Sequence, residues 1–186
     1  MKTATNKIEG LIILEPKVHQ DNRGYFFESF RSNIMTLNKY KFVQENESLS
    51  SRGTLRGLHF QSPPFAQTKL VRVVSGSVYD VAVDLRIGSP TYGNWHGEVL
   101  SGENKRQILI PEGFAHGFIT LEDDTIFQYK CSNYYSLESE GGVSYRDNEL
   151  DINCIEISVI QEIDFLFNQK DQEYPLLDDF NSPFTL

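Results

Sequence analysis

Cysteine is scarce in this chain: Cys131 and Cys154 are the two among 186 residues. Two thiols without framework spacing argue against a disulfide-stapled scaffold, and both are expected reduced and buried, as in a cytoplasmic protein. Positive charge is also short, with 17 Lys and Arg against 26 Asp and Glu and a formal net charge of −9. That balance argues against a nucleic-acid scaffold, which presents a basic face, yet leaves room for a locally basic pocket around a small anion. No apolar run approaches membrane-spanning length, and the opening residues MKTATNKIEG lack the apolar core of a secretory signal, so neither a membrane role nor export is expected. No repeat, low-complexity segment or internal linker stands out, and residues 1–186 read as one domain.

What the chain does have is aromatic content, 13 Phe and 9 Tyr, with Gly and Pro scattered throughout. That mixture favours many short strands over a helical bundle. Strand-length apolar stretches recur at Gly10–Leu14, Tyr25–Phe30, Phe42–Glu47, Thr54–Phe60, Lys69–Val74, Ser77–Arg86, Trp95–Leu100, Gln107–Ile110, Ala115–Thr120 and Thr125–Cys131. The alternation is clean in Ser77–Arg86, where Tyr79, Val81, Val83 and Leu85 share one face and Asp80, Ala82 and Asp84 the other. Residues His19–Gly24 read as a polar turn, and Ser75-Gly76 as the turn of a hairpin. Ser32–Lys39 is the one plausible early helix, while Ile155–Phe167 is open between strand, short helix and both. Roughly ten strands with few short helices imply an all-β sandwich or barrel, for which a jelly roll is the commonest two-sheet solution.

Four histidines are candidates for chemistry: His19, His59, His96 and His116. A lone strand histidine such as His59, in LRGLHFQ, is ordinarily a hydrogen-bonded structural residue. His116 follows a Pro-x-Gly turn in PEGFAHG, which is similar to the second motif of the cupins. The first cupin motif supplies His-x-His and a nearby Glu, but here the segment reads His-Phe-Gln, too few ligands for a cupin metal. Tyr129 shares a strand face with Phe127 and Cys131, a placement that core packing also explains. Tyr134-Tyr135 fits either a buried corner or a platform for a flat base. Arg23, Arg56 and Lys69 have ordinary surface explanations one by one, although Arg56 and Lys69 lie in apolar strand-like stretches where a charge needs a partner.

Taken together, GLIILEPKVHQDNRGYFFESF, LRGLHFQSPPFAQTKLVRVVSGSVYDVAVDLR, SPTYGNW, SGENKRQILIPEGFAHGF, YKCSNYYSLESEGG and KDQEYPLL resemble, in order, the dTDP-4-dehydrorhamnose 3,5-epimerase family. The resemblance runs from Gly10 to Asp178 and implies a cupin jelly roll acting as a homodimer without metal or redox cofactor. It implies that His59 is the general base, with Asp171 orienting its imidazole. Tyr129 would return a proton on the opposite face, and Lys69 would sit near the 4-keto oxygen of the sugar. Arg23 and Glu28 match nucleotide contacts, of a kind that can be made in a neighbouring subunit's pocket. Gln44, Asn46, Arg56, His116, Glu140 and Lys170 match further substrate contacts, and Tyr135 matches a residue that stacks on thymine.

The implied substrate is dTDP-4-keto-6-deoxy-D-glucose, inverted at C3 and C5 to dTDP-4-keto-L-rhamnose for rhamnose and surface-polysaccharide biosynthesis. Inverting a carbon beside a ketone needs a base, an acid on the other face and a stabiliser for the enolate oxygen, which this residue set would supply. Three alternatives use much of the same sequence: an epimerase acting at one carbon or on another nucleotide 4-keto sugar, an idle cupin that binds a nucleotide sugar, and a metal-dependent cupin oxygenase. Two features sit uneasily with the family pattern. Arg56 and His59, three apart in a strand, share a pocket only if Gly57 marks a bulge. The stretch Asp151–Ile155 lacks the family's aromatic and Pro, which bears on where Asp171 and Lys170 fall.

Overall fold

The structure is a computed structural model that describes residues 2–5, 7–34, 37–148, 150, 152 and 164–186. Its strands are β1 (Lys2–Thr5), β2 (Ile12–Glu15), β3 (His19–Asp21), β4 (Gly24–Phe26), β5 (Gln44–Ser50), β6 (Thr54–Gln61) and β7 (Lys69–Ser75). They continue as β8 (Ser77–Asp84), β9 (Trp95–Ser101), β10 (Gln107–Ile110), β11 (Phe114–Thr120), β12 (Thr125–Cys131), β13 (Glu140–Gly142) and β14 (Leu166–Phe167). A four-residue helix, α1 (Gln169–Gln172), follows β14.

Two sheets face each other. One has the order β1-β2-β10-β7-β12-β5; the other runs β13-β6-β11-β8-β9, with β14 parallel to β6. This is the jelly roll expected from the sequence. The central core is shared between sheets: Val71, Val73, Ile108 and Phe127 from the first meet Val78, Ala82, Leu100 and Phe118 from the second. Val81, Val83 and Leu85 point the other way and are covered by the C-terminal segment through Phe180 and Phe184. The period-two pattern of β8 therefore separates two cores, because a sheet packed on both sides must bury both sets of side chains.

Several local expectations change. Ser75-Gly76 does not turn a hairpin, since β7 pairs with β10 and β12 whereas β8 pairs with β9 and β11. Gly76, at φ +73, is instead the corner where the chain passes from one sheet to the other. A positive-φ glycine serves either purpose, so the dipeptide alone does not choose. The His19–Gly24 turn is larger than expected and is itself the β3–β4 hairpin, an isolated two-stranded ribbon. The described part of Ser32–Lys39 forms turns rather than a helix, with Leu37 and Asn38 N–H groups both donating to the Ile34 carbonyl at 2.8 Å. Leu37 is anchored in a small core with Leu14, Leu70 and Leu109, so packing against the first sheet outweighs the weak helical pattern. Of the ambiguous Ile155–Phe167 stretch, 155–163 lies outside the described residues and Leu166–Phe167 is strand. Cys131 is free and buried; Cys154 lies outside the described residues.

Candidate active site

A cavity of about 630 Å³ opens between the sheets, lined from β5, β6, β7, β11, β12 and β13 and from the β14–α1 segment. Its position follows from β6. In the β6–β11 pairing Arg56 is opposite Phe118 and His59 opposite His116, so Gly57 and Leu58 together oppose the single residue Gly117. That is a β-bulge, and it turns Arg56 and His59 to the same cavity. Gly57 adopts φ +125, and a Cβ there would lie 2.5 Å from the Gly117 Cα and 2.8 Å from the His116 carbonyl oxygen. No other residue fits at that position.

His59 Nε2 is 2.8 Å from Asp171 Oδ1, and Asp171 Oδ2 accepts the Gly57 N–H at 3.2 Å. Asp171 is buried on α1, whose N-cap Asn168 accepts the Lys170 N–H at 3.3 Å. Burial pushes the Asp171 carboxyl up, but the His59 hydrogen bond and charge, the Gly57 N–H and Lys170 outweigh it and hold the pKa below the ordinary value. An ionised carboxylate can only accept, so Nε2 carries the ring proton and Nδ1 keeps its lone pair. Asp171 reaches His59 despite the unusual sequence preceding it.

Tyr129 on β12 and Lys69 on β7 line the same cavity from the opposite sheet. Burial, with Cys131 adding to it, raises the Tyr129 pKa, so the phenol holds its proton at neutral pH. Lys69 is partly open to the cavity, yet protein packed around it desolvates the ammonium and lowers its pKa, against the pull of Cys131, Asp80 and Glu140.

Among the described residues Arg56 is held only by the Ser50 hydroxyl, at 3.3 and 3.4 Å, and its charge faces the cavity, where it can meet an anion. Asn46, His116, Glu140 and Lys170 line the cavity too, and Gln44 and Tyr135 line an adjoining recess of about 160 Å³ shared with His59, Lys69 and Tyr129. Glu140 bridges Lys170 Nζ at 2.5 Å and the Tyr135 hydroxyl at 2.6 Å. Gln44 accepts the Tyr135 N–H at 3.1 Å and donates to Asn46 at 3.0 Å. Tyr135 is 52% exposed, which leaves its ring open at the rim rather than buried in a corner.

Arg23 and Glu28 do not join this group. Arg23 sits on the β3–β4 hairpin, pairs with Asp21 at 2.6 Å, and lines a separate hollow of about 490 Å³. Glu28 pairs with Arg31 at 3.2 Å. Sequence reasoning also missed a residue. Asp80, wholly buried, bonds His116 Nε2 at 2.8 Å and thereby fixes that ring. Its signal was available, because the alternation placed a carboxylate on the inner face of a buried strand, where it needs a partner. Among the described residues, no three or more His, Cys, Asp or Glu side chains are gathered as a metal would require.

Comparison with known proteins turns this geometry into an assignment. The sequence matches the family model described as dTDP-4-dehydrorhamnose 3,5-epimerase over residues 5–179. The chain belongs to this family. The Salmonella typhimurium dTDP-4-dehydrorhamnose 3,5-epimerase is 49% identical over 181 residues, covering 96% of this chain and 94% of that one. A Legionella pneumophila dTDP-6-deoxy-D-glucose-3,5-epimerase in complex with dTDP-4-keto-L-rhamnose superposes with a TM-score of 0.86 at 43% identity, covering 97% and 94% of the two chains. A 3'-monoepimerase from Streptomyces bikiniensis, in complex with dTDP-quinovose, superposes at 0.84 with 33% identity, covering 93% and 86%. Within this jelly roll the oriented His59 and Tyr129 from the opposite sheet line one cavity.

Proposed function

We propose that this chain is a dTDP-4-dehydrorhamnose 3,5-epimerase, converting dTDP-4-keto-6-deoxy-D-glucose to dTDP-4-keto-L-rhamnose within one catalytic domain, in the cytoplasm and as a homodimer. The observation that carries this reading is the delivery of an Asp171-oriented His59 from one sheet and of Tyr129 and Lys69 from the other into a single cavity. His59 Nδ1 takes the proton from the carbon beside the ketone. The C–H electron pair becomes the enolate double bond, and the negative oxygen lies against the Lys69 ammonium. Tyr129 then donates its hydroxyl proton to the other face of that carbon. Solvent reprotonates the phenolate and removes the proton from His59, so the sequence can repeat at the second carbon. The ketone already acidifies C3 and C5, so the chemistry calls for no redox cofactor.

Arg56, His116 and Lys170 supply positive charge or donors for a diphosphate and sugar, and Gln44, Asn46 and Glu140 supply polar contacts. Tyr135, open at the rim, suits stacking on thymine. Arg23 and Glu28 lie off the cavity of their own chain, and the isolated, exposed β3–β4 hairpin suits insertion beside a second copy's cavity. The likeness to the monoepimerase keeps one second reading, inversion at a single carbon.

Incubation with dTDP-4-keto-6-deoxyglucose in D₂O, followed by NMR, tests both. Deuterium at C3 and C5 with both centres inverted is the expected result. Label and inversion at one carbon would favour the second reading, and no label would reject catalysis on this sugar. His59→Asn should lower the rate by about 10²–10⁴-fold with the fold intact.

A further inference from the structure

His59 is held from a second side. The Tyr174 ring packs edge-to-face with its imidazole, with centroids 5.6 Å apart and planes at 71°. Tyr174 is not among the residues lining the cavity, so this contact supports the imidazole from behind while the cavity side stays free. Tyr174 lies three residues after Asp171, and one short segment thereby grips the ring by a hydrogen bond and by an aromatic contact.

The segment itself is fixed at both ends. Asp171 takes the Gly57 N–H, the Pro175 carbonyl accepts the Ser144 N–H at 2.8 Å, and the Leu177 N–H bonds Asp147 at 2.5 Å. Room for the ring comes from Gly142, the residue opposite His59 in the β6–β13 pairing. A Cβ on Gly142 would lie 2.7 Å from Tyr174 Cδ2 and Cε2. The space that admits Tyr174 against His59 therefore exists only because β13 carries no side chain there.

The hydroxyl contributes little to this arrangement. It is buried with no hydrogen-bond partner among the described residues. Burial, with the carboxylates of Glu140 and Asp171, pushes its pKa well above the ordinary tyrosine value, so it stays a neutral phenol. What touches His59 is the ring.

We infer that Tyr174 is a positioning residue for the base: its ring and the Asp171 carboxylate together lock the His59 imidazole in one orientation, with Nδ1 presented to the substrate. Two restraints are needed because a single hydrogen bond lets an imidazole swing about the Nε2···Oδ1 axis, and the second contact removes that freedom. The inference rests on the reading of His59 as base, and the test separates the two.

Tyr174→Phe keeps the ring and should hold kcat and KM within about twofold of wild type. Tyr174→Leu removes the ring and should lower kcat by about tenfold or more, with KM little changed, since reactive geometry is lost rather than affinity. In the absence of substrate, the His59 Nε2–H resonance expected from its hydrogen bond to Asp171, assigned by its loss in His59→Asn, should persist in Tyr174→Phe and broaden or vanish in Tyr174→Leu. Should Tyr174→Leu fail to fold at the assay temperature, Tyr174→Met carries the same expectation. A leucine or methionine variant with wild-type kcat and an intact resonance would overturn the proposal, as would equal losses in the phenylalanine and leucine variants, which would point to the hydroxyl. If His59→Asn exchanges deuterium into the sugar at the wild-type rate, the base reading fails, whatever the resonance does.

Discussion

Arg56 and His59, three residues apart on β6, face the same cavity because Gly57 and Leu58 share a single partner, Gly117, across the β6–β11 ladder. In a regular strand one of the two would point into the opposite core. The anion-facing arginine and the base therefore depend on one backbone irregularity, and Gly57 is its weak point.

Gly57→Ala places a Cβ 2.5 Å from the Gly117 Cα at φ +125, so neither the space nor the conformation is available. Strain of this kind costs about 1–3 kcal/mol, and relief requires β6 to slide against β11. We expect a lower urea midpoint together with a loss of kcat/KM larger than the stability change explains at the assay temperature. An alanine variant that keeps wild-type kcat/KM would show that the bulge does not set the site.

The alkaline side of the pH profile should belong to Lys69. Desolvation disfavours its charged form and brings its pKa below 10.5, whereas burial raises Tyr129 above 10.0. With rising pH, Lys69 gives up its proton below the ordinary lysine value while Tyr129 holds its own beyond the ordinary tyrosine value, and the enolate oxygen then loses its positive neighbour. The descending limb of kcat/KM should therefore lie below pH 10.5 and disappear in Lys69→Gln, while the overall rate falls by roughly 10²–10³-fold. Tyr129→Phe should leave that limb in place but separate exchange from inversion, with deuterium still entering at carbon while configuration changes slowly. A limb unaltered in Lys69→Gln would assign it to another group.

The fold was legible where residue type and spacing point the same way, and the site only in part. The alternation of Tyr79, Val81 and Val83 against Asp80 and Ala82 reads directly as a two-sided strand, and so β8 follows from sequence. Ser75-Gly76 reads as a turn, but which strands it joins depends on partners far along the chain, Ser75 of β7 meeting Ile126 and Ser77 of β8 meeting Ser101. The bulge at Gly57 was foreseeable because two polar residues at the wrong spacing needed one. The inner-face carboxylate of Asp80 signalled a partner without naming His116, and nothing signalled the Tyr174–His59 contact, since each pair joins residues remote in sequence.

Asp171 gives a stability prediction with a definite sign. Its folded pKa lies below the value of 3.8 expected in the unfolded chain, so its contribution is fully present above that pH and drains away as pH falls through the folded value. Asp171→Asn should thus be less stable than wild type at neutral pH, with the gap in urea midpoint closing below about pH 4. Activity should fall by about 10–100-fold, as for other carboxylates that orient a functional histidine. A gap that stays constant into acid would mean that Asp171 stabilises through packing rather than charge.

The β3–β4 hairpin gives the last prediction. Its strands are exposed throughout, Phe26 is 73% accessible, and the Arg23 side chain is 85% accessible, unusual for an apolar and charged ribbon with no role of its own. Its middle is secured, as Lys105 donates to the Tyr25 hydroxyl at 2.9 Å and sits over its ring at 4.1 Å. A ribbon tied down through the Tyr25 side chain and otherwise bare suits insertion beside a second copy. If Arg23 serves the partner's cavity, Arg23→Ala and His59→Asn homodimers should both be poorly active, each for a different reason. Unfolding and refolding them together gives mixed dimers in which one cavity receives an intact His59 and an intact Arg23. Random pairing then restores about one quarter of the sites, since half of the dimers are mixed and each holds one good cavity. Recovery near that level identifies Arg23 as a residue supplied in trans. Absence of recovery, with dimers present by light scattering, would place Arg23 in service of its own chain or of none.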